Sequence, residues 1–164
     1  MTVRTVAVER FSLTSAAPFE SVMARIDAAV GHPDPRAFMA AMGAAPTVAA
    51  LEDVVAGAVG SSGIMEFARF DIGEVLRKDR PGMSARALRL LLGNPLIMRQ
   101  MAEHGRDAGS YAPVTVLVDE RQDGVHLSYD RMASLLAPYG SAEALAVARP
   151  LDQKIERLLT AAAA

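Results

Sequence analysis

A leucine-rich run at 86–92 that breaks at Gly93 and passes at once into Asn94-Pro95 sets the tightest local constraint in this chain. Asn is a strong helix N-cap because its side-chain oxygen accepts a hydrogen bond from an orphan backbone N–H of the first turn. Proline at the next position has its φ already set for a helix and gives up only an N–H that would lack an intrahelical partner. The segment is therefore a buried strand that turns directly into a helix, with Ile97, Met98 and Met101 facing inward and Gly105 ending it. Segments 114–120 and 125–130 then read as strands joined around Gln122-Asp123-Gly124, a hairpin signal.

The rest of the chain follows the same logic. Residues 4–13 alternate loosely and read as a strand. Pro18 opens a helix whose apolar face is Phe19, Val22, Met23, Ile26, Ala29 and Val30, stopped by Gly31 and Pro33. Asp34 caps a second helix with Phe38, Ala41 and Met42 inward, and Thr47 caps a third with Leu51, Val54, Val55, Ala58 and Val59 on one side. Ser61-Ser62-Gly63 leads into a strand at 64–70, and Asp71-x-x-Glu74 has the form of a capping box before a two-turn helix. Arg80-Pro81-Gly82 reads as a turn, and 132–136 as one turn of helix. A Ser141 cap starts the last helix, with a kink expected at Pro150. The order β-ααα-β-α-β-α-ββ-α implies an α+β fold of two layers: a largely antiparallel or mixed sheet of about five strands with helices on one face. With no repeat and no linker, residues 1–164 are expected to form a single domain, with a helical insertion at about 34–60.

Composition removes whole classes of chemistry. There are no cysteines, so disulfides, thiolate nucleophiles, Fe–S clusters and Cys-rich zinc sites are impossible. Only three histidines remain. Seventeen basic and nineteen acidic residues are interspersed and aromatics are 5%, unlike the basic stripe with stacking rings that nucleic-acid binding needs. The chain has no apolar run long enough for a membrane helix and no signal-peptide core near Met1, so it reads as cytoplasmic. Hydrophobic residues reach 51%, and with a mean hydropathy of +0.20 the expected state is a homodimer whose apolar surfaces associate.

Several of these landmarks occur together, and in order, in one family. Phe70-Asp71-Ile72-Gly73, Leu92-Gly93-Asn94-Pro95, Tyr111-Ala112-Pro113, Asp123-Gly124, Ser128-Tyr129-Asp130 and Leu151-Asp152 give residues 61–159 a resemblance to the prokaryotic family catalogued as domain of unknown function 302. Arg10-Phe11-Ser12 and Phe19-Glu20 resemble the same family's first strand and helix. The resemblance implies a compact two-layer α+β fold, an associating dimer and no established reaction. Two departures stand out. Compact members pass almost directly from first helix to second strand, where this chain has 34–60. Many members carry Cys before the Asn-Pro pair, where this chain has Gly93, so no thiol role transfers.

Candidate site residues lie at element boundaries, where backbone groups lack partners. Asn94 is first a cap, for which Asn94→Asp should be nearly neutral; the same helix start would also suit an anion. Tyr111, Tyr129 and Asp130 would complete a cleft with Asn94 if these ends converge, with Glu66 at its base. On a strand face with Ile64, Ala68 and Phe70, Glu66 would have the raised pKa of a general acid unless Arg69 or Arg86 pairs with it. Ser128, His126 and Asp119 could imitate a triad, but a solvated hairpin face explains them better. Met98-x-x-Met101-x-x-His104 offers soft Cu(I) ligands, although core packing accounts for methionines in that pattern. The expected function is a dimeric small-ligand-binding or sensory module, with no cofactor, no metal, no catalytic residue, and neither nucleic acid nor membrane as partner. The alternatives are a protein-interaction subunit, an acid–base enzyme and a metal handler.

Overall fold

The computed structural model describes residues 1, 3–79 and 86–164. Its strands are β1 (Arg10–Ser15), β2 (Met65–Asp71), β3 (Ala87–Gly93), β4 (Val114–Arg121) and β5 (Gly124–Asp130). The helices are α1 (Phe19–Ala29), α2 (Pro35–Ala44), α3 (Val48–Ala56), α4 (Ile72–Asp79), α5 (Pro95–His104), α6 (Met132–Leu136) and α7 (Ala142–Ala163). Short 3-10 helices at Arg106–Ser110 and Ala137–Tyr139 were not expected. The turn expected at Arg80-Pro81-Gly82 lies outside the described residues. The five strands form one sheet in the order β1-β5-β4-β3-β2, with every neighbouring pair antiparallel. This is the α+β architecture and element order expected from the sequence.

The core forms where alternating strand residues meet helix stripes. Val116 and Val118 on β4, Leu127 and Tyr129 on β5, and Leu90 and Leu92 on β3 are all buried. They pack against Val22 and Ile26 of α1, Met101 of α5, and Ala148, Leu151, Ile155 and Leu159 of α7. The α7 residues recur at helical spacing, so this long helix buries one continuous face. It runs unbroken through Pro150, which removes only the bond its own N–H would have given to Ala146. β1 starts six residues later than expected because its partner β5 ends at Asp130, directly opposite Arg10. Before Arg10 the backbone pairing continues, among the described residues, only as the Arg131 N–H donating to the Glu9 carbonyl, and Arg4 donates to the Pro138 carbonyl and lies over the Tyr139 ring.

Residues 34–60 form a second, smaller cluster on the body. Phe38 of α2 and Val55 of α3 are buried with Met65 of β2, and Phe67 and Leu96 pack against them. The segment leaves and returns at one point. The N–H groups of Gly31 and Gly60 both donate to the Ile64 carbonyl, at 2.9 and 3.0 Å. A Cβ on Gly31 would run into the Ala58 carbonyl, and one on Gly60 into that of Ala29, so only glycine lets the two backbones approach.

Asp152 is a buried carboxylate that the sequence reading left without a role. It accepts from Tyr129 Oη at 2.6 Å, from Met132 N at 2.7 Å and from Ala133 N at 3.1 Å. Arg131, at the N-cap position of α6, makes no cap bond, so Asp152 supplies that function from a different helix. Burial pushes the Asp152 carboxyl above its ordinary value and outweighs the three donors that favour its charge. Burial, then the nearby Asp152 charge, also raises the Tyr129 phenol, which stays protonated and donates. A raised folded pKa means that the native state binds the proton more tightly than the unfolded chain does. The contribution is thus fully present below the unfolded value of about 3.9 and is lost as pH rises through the folded value. In denaturant melts, the stability of wild type relative to Asp152→Asn should fall as pH rises through that window. A difference independent of pH would refute the assignment.

Candidate functional site

Asn94 behaves as a cap and as something more. Its Oδ1 accepts from Leu96 N at 2.9 Å and Ile97 N at 3.4 Å, and its carbonyl takes the N–H of Met98. Pro95 has no N–H, so the first turn of α5 has no donor left over, and the anion site considered from the sequence is not available there. The other end of the amide reaches a different element, with Nδ2 donating to the Gly63 carbonyl at 3.0 Å. One side chain therefore starts α5 and ties it to the loop that closes the helical segment 34–60.

Beside Asn94 lies a cavity of about 220 Å³. Met39 and Met42 of α2 form one wall and Pro95, Ile97, Met98 and Met101 of α5 another. Phe67, Gly93, Ala112, Pro113, Val114 and Leu151 close it from the sheet end and α7. Four of the nine methionines in the chain thus line one space. Asn94 is the only polar side chain in the lining, and its amide is already hydrogen-bonded at both ends. Gly93 helps to keep the cavity open, since a Cβ there would sit 3.3 Å from the Phe67 ring and 3.4 Å from Pro113. Met39, Met42 and Phe67 were not among the sequence candidates. The available signal was a pair of Met-x-x-Met spacings, 39/42 and 98/101, each putting two thioethers on one helix face.

The other candidates are distributed around the fold. Tyr111 immediately precedes the cavity residues Ala112 and Pro113, but its hydroxyl bonds that of Tyr139 at 2.7 Å. Tyr129 points into the core toward Asp152. Asp130, the next residue along the strand, projects to the opposite face and pairs with Arg10 at 2.6 Å. The alternation of a strand turns the two side chains to opposite faces, although both residues border one depression with Arg10, Arg89 and Ser128.

Glu66 departs from its expected surroundings because of a β-bulge. The register shifts between Glu66 and Ala68, so Glu66 opposes Leu92, whereas Ala68 opposes Leu91. The bulge moves Ala68 and Phe70 to the other face and brings Arg69 onto that of Glu66. Arg69 then reaches both Glu66, at 2.7 Å, and Asp27 of α1. Burial lowers the Arg69 pKa, but the two carboxylates outweigh it and hold the guanidinium charged. Glu66 is thus an ion-pair partner, as one of the two alternatives held. Arg86 pairs elsewhere, with Glu20 and Glu120.

Asp27, His32 and Glu66 form the one cluster of possible metal ligands among the described residues. Both carboxylates are engaged by Arg69, so a cation would have to displace a guanidinium. His104 is exposed and is not part of the methionine-lined cavity. The triad imitation does not assemble either: His126 bonds Asp123 at 2.8 Å, and Asp119 pairs with Arg121.

The double role of Asn94 changes the expected effect of its substitutions. Asn94→Ala loses a cap and the bond to Gly63, together about 2 kcal/mol. Asn94→Asp keeps the cap but offers no donor to the Gly63 carbonyl, so it should lose about 1 kcal/mol and is not neutral. Denaturant melts measure both, and an Asp variant as stable as wild type would show that the Gly63 bond contributes nothing.

Comparison with known proteins agrees with this architecture. No curated protein matches the chain. A solved structure, described as the crystal structure of an uncharacterized conserved protein DUF302 from Bacillus stearothermophilus, superimposes with a TM-score of 0.66. It covers 93% of this chain and 97% of that one at 10% sequence identity, which shows a shared fold. The family described as Domain of unknown function DUF302 matches residues 43–162, a span that begins within the helical segment 34–60. Over most of its length, then, the chain carries both the sequence pattern and the fold of the DUF302 family, and it belongs to that family.

Proposed function

We propose that the protein is a dimeric small-ligand-binding module whose ligand occupies the methionine-lined cavity between α2 and α5. The observation that carries this reading is the cavity itself: about 220 Å³, walled by thioethers, an aromatic ring and prolines, with its one amide already satisfied. An apolar cavity of about 150 Å³ holds a benzene, so this one suits a ligand of about nine non-hydrogen atoms. Methionine is unbranched and polarisable, so such a wall adapts to ligands of different shape. Segment 34–60 supplies the outer wall, and Met39 on it is largely exposed, which places it at the mouth.

Indole, an apolar probe of matching size, tests the reading. At ten times its Kd, binding to the folded state alone adds about 1.4 kcal/mol, or roughly 3–5 °C in Tm for a domain of this length. Met39→Trp, which fills the mouth from an exposed position, should abolish that rise. Equal responses from wild type and variant would place binding elsewhere, and no rise in either would remove the proposal.

Dimerisation rests on a separate observation. Phe70, at the end of β2, and Val75 and Leu76 on α4 are large apolar side chains that are 50%, 66% and 43% exposed. Neighbouring exposed apolar groups of this kind mark association surfaces. Sedimentation at tens of micromolar should give twice the 17.3 kDa chain mass. Leu76→Asp should shift the protein toward monomer. A wild-type monomer at that concentration would refute the dimer without touching the cavity.

A further inference from the structure

Farther along α7 than the apolar cavity, three cations surround one space with no acid in its lining. Arg25 of α1 and Lys154 and Arg157 of α7 line a depression of about 400 Å³, with Leu158 and Ala29 in its floor and Ser62 at its edge. It shares no lining residue with the methionine cavity. Arg25 donates to the Ala162 carbonyl at 3.1 Å and Lys154 to the Ser62 carbonyl at 3.0 Å. Both acceptors are neutral. None of the three cations has a carboxylate partner among the described residues, whereas Arg10, Arg69, Arg86, Arg99, Arg121 and Arg131 all do.

Carbonyl capping accounts for two of these side chains, but not for Arg157 or for the convergence. Lys154 and Arg157 are three apart and share one helix face, and Arg25 approaches from α1. Like charges around one space repel, and a dianion placed between them adds an attractive term with each cation that offsets this repulsion. Guanidinium groups bind tetrahedral oxyanions through paired N–H donors, and a lysine adds a point charge. The volume exceeds that of one phosphate, and the Leu158 and Ala29 floor gives an organic body a surface to rest on.

We propose that Arg25, Lys154 and Arg157 form a binding site for a small soluble phosphate monoester. Phenyl phosphate is the probe, titrated calorimetrically into the full chain at low ionic strength, with benzoate as an aryl monoanion whose acid group is planar. Wild type should bind phenyl phosphate about tenfold more tightly than benzoate. Arg157→Gln, at an exposed position that leaves folding intact, should weaken binding by about fivefold or more, and Arg25→Gln with Arg157→Gln should abolish it. Arg106→Gln removes an exposed, unpaired charge near the other end of α7 and should change nothing. Equal losses in Arg106→Gln and Arg157→Gln would reduce the effect to net charge and overturn the site. So would equal affinity for benzoate, no binding at millimolar phenyl phosphate, or binding only to vesicles containing phosphatidic acid.

Discussion

The Ile64 carbonyl, accepting from Gly31 and Gly60 together, is the contact on which both proposed sites depend. It closes segment 34–60 at its two ends and delivers the Ser61–Gly63 loop to a fixed place. From that loop the Gly63 carbonyl accepts from Asn94 beside the apolar cavity, and the Ser62 carbonyl accepts from Lys154 beside the cationic depression. The two glycines make this possible because any side chain at either position would meet a backbone carbonyl of the other strand of the loop. A substitution there would therefore act on both sites at once, and through position alone, since neither glycine lines either of them.

The buried carboxylate of Asp152 organises another part of the core. Burying a charge is costly, and three donors offset part of that cost here. They come from a strand end and a helix start, so the carboxylate joins β5, α6 and α7 at one point. This is why Tyr129, which looked from the sequence like a cleft residue, is a core residue. Its phenol donates to Asp152 inside the fold.

Element order was legible because the punctuation was strong: Asp34, Thr47, Asn94 and Ser141 all cap the helices expected of them. Strand pairing was legible only in the hairpin. Where β1 begins is decided by where β5 ends, and the face of Glu66 by a bulge that no local pattern announces. The proposed site was less legible for the same reason. Asn94 was found because a cap is a local signal. Met39 and Met42 were missed because their neighbours in the cavity come from α5, more than fifty residues along the chain. Tyr129 and Asp130 were grouped because both lie at a strand end, although neighbours along a strand turn their side chains to opposite faces.

Gly93 connects the departure seen in the sequence with the chemistry proposed from the structure. At the position before the Asn-Pro pair, the resemblance would put a cysteine in many relatives. Here a Cβ would sit 3.3 Å from the Phe67 ring and 3.4 Å from Pro113, a fit that needs the ring to give by a few tenths of an ångström. A side chain at this position would be directed at the wall of the methionine cavity, so a thiol there would add a polarisable, ionisable group to an otherwise apolar lining. With glycine at this position the lining carries no such group. What remains is volume beside four thioethers and a satisfied amide. Among the described residues, the lining of this proposed site offers a ligand shape and apolar contact.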